Sequence, residues 1–340
     1  GRACPTGQTC TAGTCMGSNA QITQVSVGES HTCARMSDGT ARCWGSNFNR
    51  RLGDGTSLDR PTPTPVAGLS GVAQVAAGGA FSCARLDDGT ARCWGGNSYG
   101  ERGDGSTLIA PQTIGTVSGL SNVVEIVAGN QHACARLQNG TVRCWGRNSS
   151  RQLGDGTTTD RRTPVEIAGV TTAVQVVVGN QATCVRLMDG TVQCWGQTVP
   201  TGLSGVTQVA LGASHVCALL SDRTVRCGGS NTYGQLGDGT TMARSSSVAV
   251  VGLSNVVELS ARGANSTCAR LMDGTVRCWG RNTEGYLGDG TRTDRPTPVA
   301  VTGLTDVAEV AVGPRHACAR QSTGTVRCWG VNADGQLGNG

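Results

Sequence analysis

The chain has 340 residues, 52 of them glycine, with aromatics at 3% and charged residues at 15%. That length allows a large core, and so much glycine is the punctuation of many short strands and turns. All 28 basic residues are arginine and the net charge is +5, too modest to mark a nucleic-acid binder; no run of about twenty apolar residues is present to span a membrane.

Residues 1–20 read as a Cys-rich arm or linker, with Cys4, Cys10 and Cys15 in a Gly/Thr-rich segment lacking apolar periodicity. Three cysteines cannot all pair among themselves. One stays free, or bonds to the body of the chain, to a missing segment or to another molecule. The total of seventeen cysteines is odd, so the arm is a candidate for an intermolecular disulfide.

Residues 21–340 are built from seven copies of one unit. Each begins with a β-branched strand such as residues 22–27, closed by a glycine (Gly28 in the first copy). A hairpin follows, of the form Cys33-Ala34-Arg35-Met36-Ser37-Asp38-Gly39-Thr40-Ala41-Arg42-Cys43-Trp44-Gly45. Its cysteines recur ten positions apart as Cys33 and Cys43, Cys83 and Cys93, Cys134 and Cys144, Cys184 and Cys194, Cys217 and Cys227, Cys268 and Cys278, and Cys318 and Cys328. Asp38-Gly39 is a turn signal in which glycine supplies the positive φ. A three-residue loop, residues 37–39, sets Cys33 opposite Cys43, at a separation a disulfide bridges. Zinc sites want close pairs such as C-x2-C, which this spacing is not. Abundant disulfides imply an oxidising compartment: secreted, periplasmic or cell-surface. The absence of a signal peptide suggests a mature or excerpted chain. After the hairpin comes a Gly-Asp-Gly-Thr loop and a proline-led strand such as residues 297–301. Four short strands at a period near fifty residues imply an all-β, seven-bladed β-propeller.

Two copies depart from the pattern. The fourth runs from Trp195-Gly196 almost directly to Leu203, dropping its loop and most of its outer strand. The fifth carries Arg223 in the turn-glycine slot and Gly228 in the tryptophan slot. The seventh reaches Leu337-Gly338-Asn339-Gly340 before any proline-led strand, so its blade is expected to present an unpaired edge. The N-terminal arm could fill that edge and close the ring, or a neighbouring molecule could pair with it.

Four histidines, His31, His132, His215 and His316, occupy one slot of alternate repeats, too far apart around a ring to share a metal ion, and read as packing residues. Asp54, Asp104, Asp155, Asp238 and Asp289 lack the further acids a calcium loop needs and read as turn residues. No metal or cofactor is therefore expected. Arg35, Arg85, Arg136, Arg186, Arg270 and Arg320 share one slot; Arg42, Arg92, Arg143, Arg226, Arg277 and Arg327 share another, on the strand face of Trp44, where a guanidinium can lie on an indole. Such a girdle could meet carboxylates or an anionic glycan; the alternative is that these arginines pair with turn aspartates and pack between blades. No nucleophile–base pairing, phosphate loop or distinctive acid pair stands out, so an enzyme is not expected.

The run Gly313-Pro314-Arg315-His316-Ala317-Cys318-Ala319-Arg320, continued by residues 324–338 (Gly-Thr-Val-Arg-Cys-Trp-Gly-Val-Asn-Ala-Asp-Gly-Gln-Leu-Gly), resembles the regulator of chromosome condensation repeat. The resemblance covers residues 21–340 and implies a seven-bladed propeller. Its members include a nuclear guanine-nucleotide exchange factor that binds chromatin and a secreted bacterial inhibitor of β-lactamases. The hairpin cysteines favour the extracellular bacterial branch. The expectation is a secreted, non-catalytic scaffold that binds protein, including copies of itself through its last blade. The alternative is a binder of an extracellular enzyme, with Phe48, Tyr99, Tyr233 and Tyr286 as anchors.

Overall fold

The computed structural model describes residues 20–108, 114–196, 200 and 202–340, and the backbone of two short strands, Gln8–Thr11 and Thr14–Gly17. Seven antiparallel sheets follow one another around a ring, each built from strands consecutive in sequence. The first blade is Ile22–Val27, His31–Met36, Ala41–Gly45 and Arg60–Pro65, from the channel outward. The inner strands line the channel because their β-branched residues alternate between the two blade faces.

The hairpin register places Cys33 opposite Cys43 and Arg35 opposite Ala41. Asp38 accepts from the Thr40 amide and hydroxyl, and Gly39 takes φ 75. All seven ten-residue pairs are disulfides, with Cα atoms 4.0–4.1 Å apart. Strand alternation then sends Cys43 and Trp44 to opposite faces. The core clusters accordingly combine the cystine of one blade with the inner strand of the next and, at five of the seven junctions, its tryptophan: Cys33 and Cys43 pack with Val72, Val75 and Trp94, and Cys83 and Cys93 with Val123, Ile126 and Trp145. The disulfides are parts of the inter-blade core.

Ring closure repeats the contacts of the other junctions. Trp44 donates its indole N–H to Gln336 O (3.0 Å), as Trp94 does to Arg51 O (2.9 Å). Gly340 N bonds Pro61 O (3.1 Å), as Gly239 N bonds Pro296 O (2.9 Å). The strands Gln8–Thr11 and Thr14–Gly17 pair with each other in a separate two-stranded sheet, and the seventh blade has three strands. Among the described residues the ring closes by loop and side-chain contacts. The roles expected of Cys4, Cys10 and Cys15 lie outside the described residues.

The irregular fourth and fifth repeats fit each other. Gly228 leaves the tryptophan position empty, and Pro200, from the short connection out of blade 4, fills it; a Cβ on Gly228 would lie 2.4 Å from Pro200 Cβ. Ser247 ties the same connection down by donating to Gly202 O (3.1 Å). Arg223 holds the turn with φ 65, so the fifth hairpin keeps the common geometry with a strained residue.

Candidate functional site

Each inner strand presents one polar side chain toward the next blade: Gln24, Gln74, Glu125, Gln175, Gln208, Glu258 and Glu309. Gln24 accepts from Val75 N (2.9 Å) and donates to Val75 O (3.2 Å), and Gln208 does the same at Leu259. The glutamates accept only: Glu125 from Val176 N, Glu258 from Val310 N and Glu309 from Val25 N, the last across the ring closure. A carboxylate cannot donate to the carbonyl a carboxamide reaches, and each one instead meets an arginine of its own blade, Arg136, Arg270 or Arg320, at 2.8–3.0 Å. Burial pushes all three carboxyls up, Glu309 to about 7, with the neighbouring Glu258 charge adding to it. The sequence reading missed this slot, because glutamine and glutamate alternating with valine look like a solvated strand face.

These arginines ring one end of the channel, where Arg35, Arg85 and Arg136 line a shared basin. Arg35 donates to Val72 O (2.7 Å) of the next blade, whereas no hydrogen-bond partner is found for the buried Nε of Arg85 and Arg186. Six arginines thus meet three glutamates, and the rim is electropositive. The second arginine slot turns to its own outer strand: Arg226 donates to Ser247 O (2.7 Å) and Arg143 faces Glu166 (3.6 Å). Among the described residues the guanidinium–ring stacks are Arg51 on Phe48, Arg147 on Tyr99 and Arg281 on Tyr233. The expected stacking of Arg42 on Trp44 is therefore corrected; loop aromatics, reached from their own or the next blade, take that role.

The histidines are buried and each bridges to the next blade. His31 Nε2 lies 2.8 Å from Ser82 Oγ, and His316 Nε2 lies 2.7 Å from Thr32 Oγ1. Ser82 and Thr32 donate their own hydrogens to Arg51 O and Gln336 O, so His31 and His316 are the donors and carry the proton on Nε2. His132 and His215 meet Thr183 and Thr267 in the same way. Burial lowers all four, His132 and His215 to about 4 and His316 to about 3, so they are neutral at physiological pH.

In the loops, Asp54 is engaged by the Thr56 amide and hydroxyl, by Asn47 and by Arg60 (2.7 Å). Asp155, Asp238 and Asp289 repeat this with Arg161, Arg244 and Arg295, and Asp104 pairs with Arg102. These bonds hold the carboxyls below the usual range, Asp155 and Asp289 to about 2, against the opposing effect of burial. Among the described residues no cluster of acids, histidines or cysteines is arranged to hold a metal. No helix among the described residues is long and apolar enough to cross a membrane.

The opposite end of the channel is bounded by the glycine corners Gly28, Gly78, Gly129, Gly179 and Gly263. Phe48, Tyr99 and Tyr286 follow Trp-Gly strand ends on this side, and Tyr233 follows the Gly228-Gly229 end of blade 5. Phe48 is exposed and the tyrosines half-buried; they are distributed over blades 1, 2, 5 and 6 and do not converge on one pocket. In the throat stands Arg262, which the sequence reading did not single out. It is an extra residue of blade 6: the inner strand pairs Ser260 with Cys268 where blade 1 pairs Ser26 with Cys33, so the buried Ala261 takes the place of Val27 and Arg262 is inserted before Gly263; aligning the seven copies would have found it.

Among the described residues blades 4 and 7 have three strands, and their tryptophans, Trp195 and Trp329, are half-buried, whereas Trp44, Trp94, Trp145 and Trp279 are at most 2% exposed. At the edge Val326–Gly330, the residues Arg327, Cys328 and Gly330 correspond to those that Ala300, Val299 and Arg295 pair with in blade 6.

The model of the regulator of chromosome condensation (RCC1) repeat matches residues 22–51, 72–101, 123–152, 206–235, 256–285 and 307–336, and a second model of the repeat matches 38–85, 139–186 and 273–320. The Arabidopsis thaliana ultraviolet-B receptor UVR8 is 28% identical over 321 residues, 86% of this chain and 73% of its own. Human WBSCR16 superposes with a TM-score of 0.79 at 22% identity, covering 90% of this chain and 88% of its own. Saccharomyces cerevisiae Prp20p, studied for its binding to Gsp1p and histones, gives 0.77 at 21% identity, covering 94% and 84%. With matches over most of its length and seven blades that carry the repeat, the chain belongs to the regulator of chromosome condensation repeat family.

Proposed function

We propose that this chain is an extracellular, non-catalytic protein-binding propeller that associates with further copies of itself by strand addition at the open edge of blade 7. The observation that carries this reading is the edge Val326–Gly330, whose outer side has no partner strand among the described residues and whose Trp329 is only half-buried. Main-chain hydrogen bonds from an added strand supply affinity, and covering the indole adds apolar burial. The three-stranded blade 4 offers a second such edge on the same molecule, so pairing of unlike edges would extend into a chain of copies. Seven disulfides fit an oxidising location. Light scattering across a concentration series tests the assembly. The expected result is mass above that of the monomer, reduced by excess of a peptide with the sequence of residues 295–300, which forms the outer strand of blade 6. A monomer at every concentration contradicts it.

A second reading, binding of an extracellular hydrolase, is favoured by the Arg147–Tyr99 and Arg281–Tyr233 stacks, a composition typical of interface hot spots. It is tested by inhibition of a β-lactamase panel, with Tyr99→Ala and Tyr233→Ala expected to weaken any inhibition found; a panel without inhibition removes this reading. An anionic glycan remains the natural ligand class for the arginine rim, and binding to a sulfated-glycan column that Arg85→Ala and Arg186→Ala leave unchanged would count against it.

A further inference from the structure

The throat of the channel holds an arginine that the other six copies of the repeat lack. In blade 6 the inner strand ends at Ser260, and the chain turns there, with Ala264 N bonding Ala261 O (3.0 Å) and Gly263 at φ 63. Ala261 fills the wall position, and the turn carries the extra residue 262 to where the mouth and the inner channel meet, since it lines both. Nη1 donates to Val27 O (2.9 Å), reaching past blade 7 to blade 1. No acid lies within ion-pair distance of it among the described residues, in contrast to Arg136, Arg270 and Arg320. Glu29, the one acid lining the mouth, acts instead on Arg51.

We propose that the channel throat binds a small free oxyanion or carboxylate on the Arg262 guanidinium. A guanidinium has five N–H donors in a planar fork suited to two oxygens of a carboxylate or phosphate, and the hydrogen bond to Val27 O uses one. Enclosure lowers its pKa only to about 10, so the side chain stays charged at neutral pH. A cation held in an enclosed channel without a counter-charge costs several kcal/mol, a cost that an anion from solution removes. Closing the wall does not need the charge, because the apolar Ala261 does so in blade 6 as Val27 and Val312 do in theirs. The cavity behind the arginine, about 210 Å³ and lined by Gln24, Gln74, Gln175 and Gln208, has room for a small ligand. The site is independent of the assembly proposed above.

The test titrates the intact, disulfide-bonded protein with acetate, and separately with inorganic phosphate, at low ionic strength while following arginine Nε–Hε resonances. The Arg262 resonance is assigned by its loss in Arg262→Gln. The expected result is a saturable shift of that resonance at millimolar anion, with the solvent-facing Arg292 moving only weakly and linearly. An Arg262 resonance that does not move, or moves only in parallel with Arg292, overturns the proposal. Arg262→Leu leaves the wall residue Ala261 in place and should fold; the anion should raise the Tm of the parent by several degrees and leave that of the variant unchanged. Equal increases in both overturn it. A response to a capped aspartyl peptide but to neither small ion would assign the site to a partner's side chain and overturn the free-ion reading.

Discussion

Buried titratable groups at the blade junctions make stability depend on pH in two opposing ways. The histidines have folded-state pKa values below the unfolded value, so their contribution is present above about pH 6.5 and is lost as pH falls toward 4. Each adds a slope approaching ~1.4 kcal/mol per pH unit in that window. The chain itself supplies the control: junction 2–3 carries Phe81 and Ala133 where junction 3–4 carries His132 and Thr183. The double variant H132F/T183A is expected to lose less Tm than the parent between pH 6.5 and 4.5; equal losses would show that the histidine is not the sensor. Glu309 works in the opposite direction. Its raised pKa gives stability present below about 4.5 and lost as pH rises through about 7. Glu309→Gln, the residue type of four other junctions, is expected to stabilise by about 1–2 kcal/mol at pH 8, allowing for partial solvent screening, and by little at pH 5. Urea titrations at the two pH values measure this. The histidines were legible in the sequence as packing residues because they alternate by repeat. Their hydroxyl partners and the glutamine–glutamate slot were not, since contacts about fifty positions apart between adjacent blades leave no local pattern.

At the scale of the element, the hairpin was legible down to its register, because ten-residue cysteine spacing admits a three-residue turn and little else. What the spacing did not show is which way the cystine faces. Strand alternation sends it into the junction with the next blade, against that blade's tryptophan. Cys134→Ser with Cys144→Ser is expected to cost about 2–3 kcal/mol in the chain-entropy account, plus whatever packing Cys134 and Cys144 lose against Val176; urea unfolding under non-oxidising conditions checks it. The fifth hairpin offers the reverse test. Arg223 sits at φ 65 where Gly39 sits at 75, and Arg223→Gly should stabilise by about 1 kcal/mol. A destabilised variant would mean that the contact of Arg223 with Met272 outweighs the strain. The two irregular repeats could be seen to adjoin in the sequence, but that Pro200 fills the volume left by Gly228 required the path of the connection between them.

For the whole molecule, one set of contacts recurs at the seam between blades 7 and 1 as elsewhere: an imidazole to a hydroxyl, a carboxyl to an amide, an indole to a carbonyl. Closure by these contacts means that the ring does not depend on a fourth strand in blade 7, which has three among the described residues. The ring and its repeat count were readable from periodicity, and the manner of closure was not, because it depends on side chains brought together from opposite ends of the chain. The central claim is that the open edge is an association surface. Amide hydrogen exchange of the strand Val326–Gly330, measured over a hundredfold range of protein concentration, tests it directly. The account predicts that the outward-facing amides of Cys328 and Gly330 become protected as concentration rises, while those of the equivalent strand Val276–Gly280, already covered by Arg295–Ala300, do not change. Exchange at Val326–Gly330 that stays independent of concentration would contradict it.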